Sequence, residues 1–197
     1  MKILHWILIT FFLTAITIGS DGTELQSLSV GKTLIGKNVL QAATITDSIL
    51  IEQRAWFDFS KVGQKDEFYI CIRGKSIAEG NVIFTITSHD KTTILREEFP
   101  SNLLIGYGLD GDQNSVKDRE DYIKNRIKDF FGEKNLSYPA IKQDEVFDED
   151  YSDKEIWNDI KSDQTAVGFF YLIGEEDGRN IAYSKKTKKV VMYFNCC

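Results

Sequence analysis

The amino-acid sequence predicts an α+β fold: a mainly antiparallel β-sheet with two helices inserted before a C-terminal β-meander. Three observations predict it. Apolar and polar residues alternate with period two between Asp66 and Glu98, the pattern of half-buried strands. Helical spacing replaces that alternation after Gly111 and again after Ser152. Short apolar runs separated by turn residues then return from Val167 to the end.

The chain begins with Lys2 and an apolar stretch from Ile3 to Ile18, interrupted only by His5, Thr10, Thr14 and Thr17. A cationic start, a compact apolar run and the small residues Thr17 and Gly19 have the layout of a secretory signal peptide. Residues 1–20 are therefore expected to be a leader and residues 21–197 a single α+β domain. The apolar run is shorter than the ~20 residues of a membrane span. The expectation is an exported, soluble protein, periplasmic or extracellular, with no membrane association once the leader is removed.

Residues 22–65 are the least patterned; Ile49, Ile51, Phe57 and Phe59 suit short strands broken by Gly31, Gly36 and Gly63. Phe68, Ile70 and Ile72 alternate with Tyr69, Cys71 and Arg73 up to Gly74, and Val82, Phe84 and Ile86 alternate with β-branched Ile83, Thr85 and Thr87. Ser88 to Lys91 has turn composition, Thr92 to Glu98 is the return strand, and Pro100 stops it. Val116, Ile123, Ile127, Phe130 and Phe131 lie on one side of a helix with Ser115 at its N-cap and Gly132 at its end. Ser152-Asp153-Lys154-Glu155 reads as a capping box for a second helix whose apolar side is Ile156, Trp157 and Ile160. Val167 to Ile173, Asn180 to Ser184 and Val190 to Phe194 are the closing strands, the first apolar enough to be covered on both faces.

Charge and composition exclude several functions. The chain carries 30 acidic against 24 basic residues, a net charge of −6, which becomes −7 when Lys2 leaves with the leader. That balance does not suit a nucleic-acid-binding surface, which must neutralise phosphates. His89 is the only imidazole outside the leader. Ser88, His89 and Asp90 are consecutive, so their side chains diverge and cannot line up as a catalytic triad; His89 reads as a polar turn residue.

The sharpest local pattern is Asp110, Asp112 and Asn114 with Asp118, the alternate oxygen donors of a calcium loop running into a helix. Ser115 stands where that loop wants glycine and Asp121 where it wants a bidentate glutamate. The other reading is a polar loop whose Ser115 caps the helix. Calcium is the one cofactor the residues suggest. An acidic run, Asp144-Glu145 and Asp148-Glu149-Asp150 with Asp153, offers carboxylates for glycan hydrolysis, but such chemistry needs two acids opposed across a cleft. A solvated linker that also places negative charge at a helix start accounts for the run. Lys185-Lys186-Thr187-Lys188-Lys189 reads as a charged hairpin turn, and Asn135-Leu136-Ser137 matches a glycosylation acceptor. Trp56, Trp157, Phe169, Phe170, Tyr171, Tyr183 and Tyr193 are expected in the core.

Cys71, Cys196 and Cys197 are the only cysteines. Neighbouring Cα atoms are ~3.8 Å apart, too close for a relaxed Cys196–Cys197 bridge. A bridge from Cys71 to one of the terminal pair is one expectation, and three free thiols the other. The functional expectation is an exported binding or interaction protein without evident catalytic chemistry. An inhibitor or immunity-type protein that meets a basic protein partner fits the charge. The alternatives are a carboxylate-dependent glycan hydrolase and a calcium-stabilised extracellular module.

Overall fold

The structure is a computed structural model, and it describes residues 48–109 and 114–196. The leader read in residues 1–20 lies outside the described residues. The fold is α+β and mainly antiparallel, as expected, and the strands form two four-stranded sheets. The first holds β1 (Ile49–Lys61), β2 (Gln64–Arg73), β3 (Asn81–Thr87) and β4 (Thr93–Pro100) in chain order. The second holds β5 (Leu136–Ser137), β6 (Gly168–Leu172), β7 (Gly178–Ser184) and β8 (Lys189–Cys196), also in chain order. Between β4 and β5 runs the helix α1 (Val116–Asp129), and α2 (Lys154–Ser162) precedes β6.

Antiparallel register puts every second residue on one face. In the first sheet Phe68, Ile70 and Ile72 of β2 stand opposite Ile86, Phe84 and Val82 of β3, and all six are fully buried. From the second sheet Phe169 and Tyr171 meet this face: Phe68 lies 5.2 Å edge-on from Phe169 and Phe84 lies 5.3 Å from Tyr171. The end of α1 adds Phe130, 5.3 Å from Phe84, and Phe131, 5.9 Å from Phe68. Burying each phenylalanine contributes about 1.5–3 kcal/mol, and each edge-on pair about 0.5–1.5 kcal/mol more. The opposite face of the second sheet is covered by α2, whose Trp157 and Ile160 pack with Ala182 and Tyr193.

Local rules set the helix ends. Ser115 caps α1 as expected: its hydroxyl accepts from the Asp118 N–H, and the Asp118 carboxylate accepts from the Ser115 N–H. On α2 the cap is Asp153, not Ser152; its carboxylate accepts from the N–H groups of Glu155 and Ile156 at 2.9 and 3.0 Å. Among the described residues no helix is long and apolar enough to cross a membrane.

Two expectations about β1 and the aromatics are corrected. Residues 49–61 form one long strand, not several short ones, with a register irregularity between Phe57 and Lys61. Trp56 is 55% exposed rather than in the core, because its register partner is Glu67 on the outer face of the first sheet. Phe170 is also exposed, while Trp157, Phe169, Tyr171 and Tyr193 are buried as expected.

Candidate functional site

The helix α1 has two working sides. Ile123 and Ile127 are buried in the core. Tyr122, Asn125, Arg126 and Asp129 recur at i, i+3, i+4 and i+7, so they form a second stripe on a neighbouring side. That stripe is one wall of a cleft of about 550 Å³. The opposite wall is Phe170, Tyr171 and Leu172 of β6, and Phe130 contributes to the apolar lining. The size lies within the ~300–1,000 Å³ of small-ligand sites.

The end of α1 closes the cleft. The Gly132 N–H donates to the Asp129 carbonyl, and the Asn135 amide donates to the Phe130 carbonyl at 2.8 Å. A 3-10 turn (Glu133–Asn135) follows, and it places Lys134 and Asn135 on the cleft wall. Asn135, the residue of the glycosylation acceptor pattern, is thus a helix-end donor. At the other end Tyr122 lies against the backbone of Gly108 so closely that a Cβ there would fall 2.0 Å from its hydroxyl oxygen. Only glycine permits that approach. Beyond Tyr122 and Arg126 a hollow of about 280 Å³ continues toward Leu104 to Gly108.

Charge in the cleft runs opposite to that of the chain. Ion pairing on α1 is confined to Lys117–Asp121 and Lys124–Asp121, so among the described residues Arg126 and Lys134 have no carboxylate partner. Asp129 is the one acidic side chain of the lining. Two cations, one carboxylate, two amides and an aromatic floor can orient an anionic group beside a flat apolar body. They do not supply the opposed pair of acids that glycoside cleavage requires. Beneath the cleft, burial pushes the Tyr171 phenol well above its usual range, and the neighbouring Glu97 carboxylate adds to this.

The residues singled out by sequence are not gathered at this cleft. Asp110 and Asp112 lie outside the described residues; Asn114 is exposed, and Asp118 is engaged in the Ser115 capping box. The acidic run supplies turn and cap acceptors: Glu145 accepts from the Lys142 N–H, Asp148 from the Asp150 N–H, and Asp153 caps α2. Cys71 is a free, buried thiol in β2, Cys196 ends β8, and Cys197 lies outside the described residues. Lys185, Lys186 and Lys188 do stand in the turn between β7 and β8, and Lys189 begins β8.

His89 has a neighbour that its turn composition does not reveal. Asp66, with no solvent exposure, accepts from the N–H and hydroxyl of Ser60 and from the His89 N–H at 2.9 Å. The His89 Nδ1 lies 3.7 Å from the same carboxylate. The Ser60 hydroxyl donates to Asp66 and the Ser88 hydroxyl to Asp90, so neither is turned to the imidazole as a nucleophile. Asp66 instead satisfies backbone donors at the irregular end of β1 and in the β3–β4 turn.

Compared with protein-family models, curated proteins and solved structures, the chain matches none. The geometry therefore carries the functional reading by itself. Sequence reasoning missed the cleft because a polar helix stripe has the same spacing whether it faces solvent or a ligand. The one available cue was Arg126 and Lys134 about the helix end, with Asn125 just before the first and Asn135 just after the second.

Proposed function

We propose that this chain is an exported binding protein without catalytic chemistry of its own, and that its ligand seats in the cleft between α1 and β6. The ligand presents an anionic group to Arg126 and Lys134 and lays an apolar body on Phe130, Phe170 and Tyr171. One observation carries the reading: two cations without carboxylate partners among the described residues line an aromatic-walled cleft of about 550 Å³. An unpaired cation beside apolar walls gains more from an arriving anion than a fully solvated one does.

Titrating ¹⁵N-labelled protein with phenylacetate and with phenyl phosphate tests this. Amide shifts are expected along Tyr122 to Asp129 and Phe170 to Leu172, and Arg126→Glu should weaken binding at least about tenfold, or ~1.4 kcal/mol. No movement of these amides at millimolar probe, or undiminished binding by the Arg126→Glu protein, would rule the cleft out.

A basic protein partner is the second reading, supported by a different surface. Asp144, Glu149 and Asp150 are exposed and have no ion-pair partner among the described residues, and Val146 beside them is 83% exposed. Complementary fields there would speed association at low salt. Charge reversal of those three acids, with the cleft intact, distinguishes this reading from the first.

A further inference from the structure

We propose that the ligand of this cleft is an extended acidic peptide, which continues the line of β5 along the edge of β6; the inference rests on the cleft being the binding site. β5 is two residues long and pairs only with Phe169 and Gly168. The 3-10 turn Glu133–Asn135 carries the chain away before it can pair further along β6. The edge of β6 from Phe170 to Leu172 therefore faces α1 across the cleft.

The phase of that edge follows from one bond. The Ile173 N–H donates to the Asp177 carbonyl at 2.9 Å, across the β6–β7 hairpin. In an antiparallel pair alternate residues bond to opposite sides. Tyr171 and Ile173 thus bond toward β7, while the N–H and carbonyl of Leu172 point away from it, toward α1. The Gly174 N–H points the same way, and there it is taken by the Leu103 carbonyl at 2.9 Å. The slot is bounded at one end by Asn135 and at the other by this Leu103–Gly174 bond. It runs along three residues of β6, roughly 10 Å of strand at ~3.4 Å per residue.

A flat aromatic anion would reach Arg126 but leave the Leu172 backbone groups to water. A peptide strand meets both: main-chain bonds to Leu172 supply affinity, and alternate side chains supply specificity. Its side chains would alternate between exposed Phe170 on one face and Tyr171 on the other. Arg126 and Lys134 then call for a carboxylate on the peptide, because they are the cations that flank the slot.

The test uses ¹⁵N-labelled full chain and three probes. The first is a pool of end-capped pentapeptides with Glu fixed at the centre and all other positions varied. The second is the same pool with every backbone nitrogen methylated, and the third is phenylacetate. The unmethylated pool should shift the Phe170 and Leu172 amides and slow Leu172 hydrogen exchange at least about tenfold. The methylated pool should do neither, and Arg126→Glu should abolish the effect. If both pools act alike, or if phenylacetate binds and the peptides do not, the strand proposal falls while the cleft reading stands. If no probe moves any cleft amide, both fall together.

Discussion

Replacing Arg179 with methionine tests a charged tie that crosses between the two sheets. Glu97 stands opposite Phe84 in the register of β3 and β4, so its carboxylate is on the core side of the first sheet. Arg179, opposite Tyr171 on β7, donates to Glu97 at 3.0 Å and to both oxygens of Asp177 at 2.8 and 2.6 Å. The two partners of the cross-sheet pair are only 27% and 24% exposed. Removing one partner of a buried pair costs about 3–5 kcal/mol, because the other charge is left without compensation. Partial access to water reduces that, so Arg179→Met is expected to lose roughly 3 kcal/mol. Replacing both members, Arg179→Met with Glu97→Leu, should recover the part of the loss that comes from stranding Glu97, while Asp177 keeps Asn195 as its donor. Urea unfolding reads this directly. With a slope of about 2 kcal/mol per molar, the single variant's midpoint falls by about 1.5 M at unchanged slope. A single variant within about 0.5 kcal/mol of the parent, or a double variant less stable than the single, would refute the reasoning.

Other changes probe different parts of the structure. Asp66→Asn keeps one acceptor but turns an amide donor toward the N–H of Ser60 or His89; it should lose about 2–4 kcal/mol in urea unfolding, and a loss under 1 kcal/mol would contradict its role. Gly168→Ala sets a Cβ 2.2 Å from the Ser137 hydroxyl and 3.1 Å from the Ala140 backbone, so about 1–3 kcal/mol of overpacking is expected, seen as a lower Tm. In acid, the hydrogen bond from Arg179, helped by Asn195, holds the Asp177 carboxyl below its usual range, and the Ser88 hydroxyl with Thr92 holds Asp90 at about 2. Folded values below unfolded ones mean that this stability is present above pH ~4 and lost as pH falls through the folded values. Carbon-detected titration should place the Asp90 midpoint near 2 and move it upward in Ser88→Ala; a parent midpoint near 4 would contradict the assignment.

Much of the fold was legible because burial follows periodicity. Phe68, Ile70 and Ile72 point inward because they share parity, and Ser115 caps α1 because its hydroxyl and the Asp118 carboxylate are three residues apart. β1 was harder, since its inward parity includes Gln53 and its register with β2 shifts past Phe57. Phe57, where the irregularity begins, and Phe59, within it, both lie 5.1 Å from Phe68. Trp56 shares parity with Glu52 and Arg54, which was a readable cue for the outer face that hydrophobicity alone overrides. The division into two sheets was not legible, because local alternation says nothing about which strands become neighbours.

The surplus of acids has a structural use that net charge conceals. Asp58, Asp66, Asp90, Asp118, Asp148, Asp153 and Asp163 each accept a backbone N–H at a turn or helix start. These groups are selected by the orphan donors they satisfy, so the chain's charge of −6 is not by itself a description of what it attracts. Charges beyond about 8 Å are screened at physiological salt, and the field inside a cleft is set by the groups that line it. Arg126 and Lys134 line theirs without a carboxylate partner among the described residues. An acidic chain can therefore present an anion-binding cleft, with long-range repulsion slowing the encounter and short-range pairing holding the ligand. Added salt should then raise the association rate of an anionic ligand while also raising its dissociation rate, the reverse of the on-rate effect expected for a basic partner on the acidic surface.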